Sequence, residues 1–126
     1  MTSLDWGKYP NFTEKEFACR GKDCCAGVAD MDADFLERLQ QLRSRVAFPF
    51  QITSGYRCPV YNATIKGGPA HPAGKAADIA VNGPQRYEIL AEFAKYGFTG
   101  VGVAKTFIHL DTLGLDEAPR PTSWTY

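Results

Sequence analysis

The sequence predicts an α+β fold in which a mostly antiparallel central sheet is flanked by helices. Helical patterns dominate the first half of the chain, whereas short β-compatible segments separated by turn formers crowd the second. Size is the third observation: 126 residues, 44% of them hydrophobic, suffice for one domain with a real core and are too few for two ordinary ones. Residues 1–126 are therefore expected to form one domain.

The first helix is expected to be short. Thr13 and Glu16 stand at capping-box spacing, Phe12 is placed to staple onto Phe17, and the helix should end near Cys19. After a glycine- and cysteine-rich loop, Asp32 is a natural cap for a longer helix. Its apolar residues Phe35, Leu36, Leu39, Leu42 and Val46 fall on one stripe at helical spacing, the mark of a core-facing helix. The stretch FPFQITSGYRCP reads as a strand over Phe50–Thr53 that stops at Ser54-Gly55. A loop or helical turn then carries Arg57 onward to Asn62. IKGGPAHPAGK has too many glycines and prolines for regular structure, so it is a surface loop, and it delivers His71.

AADIAV is short, apolar and β-compatible, which places Asp78 on a strand. Asn82-Gly83-Pro84 opens another helix through about Lys95, with Tyr87, Leu90 and Phe93/Ala94 expected inward and Gly97 as its stop. TGVGVA and TFIHLDT are two further strands. The remaining GLDEAPRPTSWTY, rich in turn formers, reads as a tail.

Fourteen basic side chains balance fourteen acidic ones, so no net field favours nucleic acid. No run of about 18 apolar residues suggests a membrane span, and the opening MTSLDWGKYPNF has neither a basic leader nor an apolar signal region. The expectation is a monomer, cytoplasmic as synthesised, without nucleic-acid partner or membrane insertion. Cys19, Cys24, Cys25 and Cys58 leave three readings open: one or two disulfides, a thiolate metal site, or free buried thiols.

The chemistry centres on His71 and His109, the only histidines of the chain. Side chains two apart on a strand share a face, so Phe107, His109 and Asp111 project together. If the strand of Asp78 pairs with that of His109, two imidazoles and a carboxylate meet. Catalytic zinc favours three protein ligands of this kind plus an open position for water. Structural histidines are the alternative, but Asp78 would then be an unpaired charge among apolar neighbours, which is costly.

HPAGKAADI followed by FIHLD resembles the signature of the zinc D-Ala-D-Ala carboxypeptidase and L-alanyl-D-glutamate endopeptidase family, which shares its fold with the hedgehog signalling domain. The family motif SxHxxGxAxD is matched at His71, Gly74, Ala76 and Asp78, and the downstream histidine at His109. ITSGYRCPVYN is similar to the family segment in which an arginine faces the substrate, here Arg57. The closing RPTSWTY resembles the end of the shorter phage and prophage members, and the likeness runs from NFTEKEFACR onward. Two departures stand out: Pro69 replaces the motif serine, and Thr106 and Phe107 occupy positions where relatives carry the glutamate or histidine that handles protons.

The resemblance implies a Zn2+ peptidase acting on peptidoglycan stem peptides, with His71, Asp78 and His109 as ligands and Arg57 holding a substrate carboxylate or the oxyanion. It also implies a phage or prophage lysis role, exercised in the periplasm or cell wall after release, or from the virion. Asp111 is a candidate proton acceptor or, alternatively, a carboxylate that orients His109. Tyr56, Trp124 and Tyr126 are candidates for lining the cleft, or for the core. The same fold without catalysis, a zinc-containing wall- or protein-binding module, is the competing expectation.

Overall fold

The computed structural model describes residues 4–126. Eight regular elements follow in order: α1 (Ala33–Arg45), β1 (Gln51–Ser54), α2 (Pro59–Thr64), β2 (Ala76–Ala80), α3 (Gly83–Glu92), β3 (Gly100–Val103), β4 (Phe107–Asp111) and β5 (Thr122–Thr125). The strands make one sheet of order β1-β2-β4-β3-β5. Every pairing is antiparallel except β3 with β5. The α+β expectation with a mostly antiparallel sheet holds.

Local chemistry explains most element boundaries. At a 3-10 turn over Glu14–Phe17, the Glu16 carboxylate accepts from the Thr13 amide at 2.8 Å and its hydroxyl at 3.1 Å. Phe12 meets Phe17 edge to face, ring centroids 5.6 Å apart. Asp32 caps α1 by accepting from the Phe35 amide at 2.9 Å. Asp34 in the first turn and Arg43 and Arg45 in the last complement the helix dipole. The predicted stripe, Phe35, Leu36, Leu39, Leu42 and Val46, is buried throughout. It packs in a common core with Ile79, Val101, Ile108 and Leu110 from one face of the sheet.

Helix α3 departs from expectation. Asn82 and Gln85 form its capping box, and Gly97, at φ 89°, ends the 3-10 turn Phe93–Tyr96 that follows it. Yet Ile89 is its buried residue and Phe93 is half-buried, while Tyr87 is 74% exposed and Leu90 and Ala94 are exposed as well. With 3.6 residues per turn, a helix that aims Ile89 at the core carries Tyr87 round to the far side, about 200° away. Its apolar residues do not share one stripe, and the sheet selects the position that fits.

The tail is the second departure. Residues Thr122–Thr125, expected as irregular, form β5 parallel to β3, with Gly102 opposite Trp124. Turn-forming Pro119 and Pro121 hide the strand from a sequence pattern, because only four residues follow before the end of β5.

Candidate metal centre

The sheet face away from α1 carries the chemistry. Asp78 on β2 lies directly opposite His109 on β4; His109 pairs with Gly102 on β3, and Gly102 with Trp124 on β5. One row across four strands therefore presents Asp78, His109, a gap and Trp124. A side chain at Gly102 would overlap the Trp124 indole, so the glycine lets that ring lean onto His109, centroids 5.0 Å apart. Gly100, one row away, likewise leaves room for Asp111 and Arg120.

His71 comes from the irregular loop, as the composition of that stretch requires. Gly74 anchors it. Its φ of 71° is unfavourable for an L side chain, its carbonyl accepts from the Asp32 amide at 2.9 Å, and a Cβ there would run into the backbone of Asp30. Gly74→Ala is expected to cost at least about 1 kcal/mol of stability, by chemical denaturation, and to weaken metal binding through displacement of His71. Unchanged values for both would show that the loop adjusts without moving the imidazole.

These elements bring the three predicted ligands together. His71, Asp78 and His109 are all buried, and their donor atoms lie within 4.8 Å of one another. Asp78 Oδ1 stands 3.4 Å from His71 Nε2 and 3.0 Å from His109 Nδ1. The other ring nitrogens settle the tautomers. His71 Nδ1 donates to the Gly55 carbonyl at 2.7 Å, and His109 Nε2 donates to Asp111 Oδ2 at 2.7 Å. Held from behind in this way, His71 Nε2 and His109 Nδ1 both face Asp78, the two nitrogens that neutral rings would offer to a metal ion lying between the three side chains. Two imidazoles and one carboxylate in this arrangement fit the ligand set of a catalytic zinc site.

Burial alone would push the Asp78 carboxyl up, but hydrogen bonds from His109 and His71 and their charges hold it well below the usual carboxylate range. Burial lowers the His109 pKa, and the hydrogen bonds it donates to Asp111 and Asp78, with their negative charge, overcome this and raise it. Burial set against close pairing in this way marks charges that are held together by one another.

Asp111 sits behind His109 and not over the cleft. Arg120 grips both its oxygens, Nε to Oδ1 at 2.9 Å and Nη2 to Oδ2 at 2.8 Å, and the Leu113 amide adds a third partner. Fully buried and so occupied, it has no free lone pair facing substrate. Of the two roles expected for it, the geometry favours orientation of His109 and disfavours proton acceptance. Arg120 was not singled out in the sequence; its signal was the arginine preceding a tryptophan strand in RPTSW.

Arg57, half-buried, reaches Asp78 Oδ2 with Nη2 at 3.3 Å and Ser54 Oγ with Nε at 3.1 Å. Asn62 is the other residue not foreseen. Buried at the base of the loop, it donates to the carbonyls of Gly67 and Gly68 at 3.1 and 2.9 Å and fixes one rim of the cleft. The cleft has a volume of about 460 Å³ above His71, Asp78 and His109, with Arg57, Lys66 and Arg120 around it. Trp124 and Tyr126 line it, with Tyr126 against Phe107 at 5.0 Å between centroids. Tyr56 does not: it is buried in the main core.

Comparison with protein families finds one whose description is Peptidase M15, matching residues 10–111. The chain belongs to the peptidase M15 family. The matched span runs from just before the Thr13 turn to Asp111 and so contains His71, Asp78, His109 and Arg57. Arg120 and Trp124, which complete this M15 site from β5 and the segment before it, lie beyond it. Comparison with curated protein sequences finds no match. Among the described residues no helix is long and apolar enough to cross a membrane.

Proposed function

We propose that this M15 peptidase is a zinc enzyme that hydrolyses an amide bond in peptidoglycan stem peptides, as a D,D-carboxypeptidase or an L-Ala-D-Glu endopeptidase. The observation that carries the reading is the convergence of His71 Nε2, Asp78 and His109 Nδ1 on the floor of an open cleft, each imidazole locked from behind. Zinc held by these three groups would acidify a bound water toward a pKa of about 7 and polarise the scissile carbonyl.

The rest of the work falls to the chain. Gly55 and Asp111 keep the two imidazoles in the ligating tautomer. With Arg120 paired to Asp111 behind the cleft, Arg57 and Lys66 outweigh Asp78 among the lining side chains, so the cleft favours the carboxylates of a stem peptide. Trp124 and Tyr126 offer apolar faces to the substrate's methyl groups. The phage or prophage lysis role, with action at the wall after release or from the virion, belongs to this proposal and draws on the small size of the domain and the likeness of the closing segment.

A second reading, a zinc-containing binding module, draws on a specific observation. Thr106 and Phe107 stand where a proton-handling side chain is expected, and Asp111 is occupied by Arg120. Zymography on purified wall separates the two. Clearing that chelator abolishes and zinc restores supports the enzyme, and a blank with retained wall binding supports the module. Mass spectrometry of the digested muropeptides then names the bond.

Arg57→Ala is expected to raise KM about 10- to 100-fold, the value of a charge-assisted hydrogen bond to a substrate carboxylate of about 1.5–3 kcal/mol. Arg57→Lys should recover part of it. A loss confined to kcat would assign the guanidinium to the oxyanion instead.

A further inference from the structure

A second cluster of metal-ligating side chains lies outside the M15 centre. Cys19 follows the Thr13 turn, Cys24 and Cys25 sit in the irregular loop after it, and Cys58 is the N-cap of α2. All four are free thiols, and their sulfurs lie within 4.8 Å of one another. Cys24 Sγ is 3.9 Å from both Cys19 Sγ and Cys25 Sγ. Four thiolates arranged tetrahedrally about zinc, each at about 2.3 Å, stand about 3.8 Å apart.

The surroundings are built around the sulfurs. The Cys58 amide donates to Cys19 Sγ at 3.4 Å, and the Tyr61 amide to Cys58 Sγ at 3.5 Å, an outer layer of donors suited to thiolate charge. Gly21 is required by contact: a Cβ there would stand 2.6 Å from the Tyr61 ring and 2.8 Å from Cys24 Sγ. The loop reverses through Asp23, Ala26 and Gly27 at φ 54°, 58° and 75°. Two of these are not glycine, a backbone cost that something in the folded chain must offset. Four soft ligands within 4.8 Å of one another, with no oxygen or nitrogen donor among them, select zinc over the hard divalent cations.

We propose that Cys19, Cys24, Cys25 and Cys58 bind a structural zinc ion, distinct from the M15 centre. Each thiol releases its proton on ligation, and the ion ties the loop to the start of α2. Cys58 follows Arg57 directly, so the clamp also holds the backbone from which Arg57 reaches Asp78. This site and the M15 centre are independent, and their failures can be told apart.

The test is a zinc count on protein purified under reducing conditions, paired with the absorption spectrum of the cobalt-substituted chain. Two zinc equivalents are expected, one for each of the two clusters. Cobalt should give intense near-ultraviolet thiolate charge transfer, retained in His71→Ala and lost in Cys24→Ser/Cys25→Ser, each variant also losing one zinc equivalent. Should the cysteine variant fail to fold, the wild-type count and spectrum decide alone. Wild-type protein without the charge-transfer band, or with fewer than four titratable thiols after denaturation in chelator, overturns the proposal. One zinc with the band present sustains it and instead removes the metal from the M15 centre.

Discussion

His71→Ala is expected to lower peptidoglycan hydrolysis by about three decades or more, because a Lewis acid supplies several kcal/mol of charge stabilisation and each 1.36 kcal/mol is about tenfold in rate. The fold should survive. His71 comes from the loop, and among the described residues its ring, beyond the Asp78 contact, hydrogen-bonds to the Gly55 carbonyl, while its backbone bonds to Gly74 and Arg57 are kept in the variant. Losing the Gly55 bond and the ring's packing against His109, 5.2 Å between centroids, costs about 1–3 kcal/mol. The remaining donors, Asp78 and His109, are two where catalytic zinc needs three. The checks are wall clearing, zinc content and circular dichroism on the same preparation. Clearing at the wild-type rate, with the fold intact, would remove His71 from the site and with it the zinc mechanism.

The site was legible where chemistry is local. The meeting of Asp78 and His109 depends only on period-two geometry and an antiparallel pairing, whereas His71, delivered by an irregular loop, was legible through the likeness of HPAGKAADI to the family motif. The capping residues Asp32 and Asn82 and the stripe of α1 were readable from local spacing too. What escaped was set by tertiary context. Nothing within GPQRYEILAE distinguishes Ile89 from Leu90 as the buried residue, because the sheet beneath makes that choice. Strand β5 was hidden behind two prolines, and Arg120 became significant only once β5 lay beside β3 and carried its guanidinium to Asp111. Asp111 was placed on the correct face of β4, yet the pattern was silent on what already occupied its oxygens.

That occupancy makes Asp111→Asn the second large effect. Asparagine has nearly the same shape and its carbonyl can still accept from His109 Nε2, but its amide group then turns toward the Arg120 Nε and Leu113 amide donors, so the substitution removes the charge and these two accepted bonds together. Arg120, with its side chain only 9% exposed, would keep the Pro119 carbonyl at 2.8 Å but lose its carboxylate partner. Breaking a buried pair in this way costs about 3–5 kcal/mol. His109 loses the anion that makes it a stronger ligand, which should weaken zinc by about 10- to 100-fold.

The acid dependence follows from the same contacts. Burial pushes the Asp111 carboxyl up, and bonds and charge from His109 and Arg120 bring it down, from 3.8 in the unfolded chain to about 2. A group depressed in the folded state stabilises fully above its unfolded pKa and loses that contribution as pH falls through the folded one. In urea titrations with chelator present, wild type should exceed D111N by the full margin near neutrality. That margin should shrink as pH drops from about 4 toward 2. A margin constant across this window would mean that the Arg120 contact contributes shape and not charge, and that His109 is oriented by packing against Trp124.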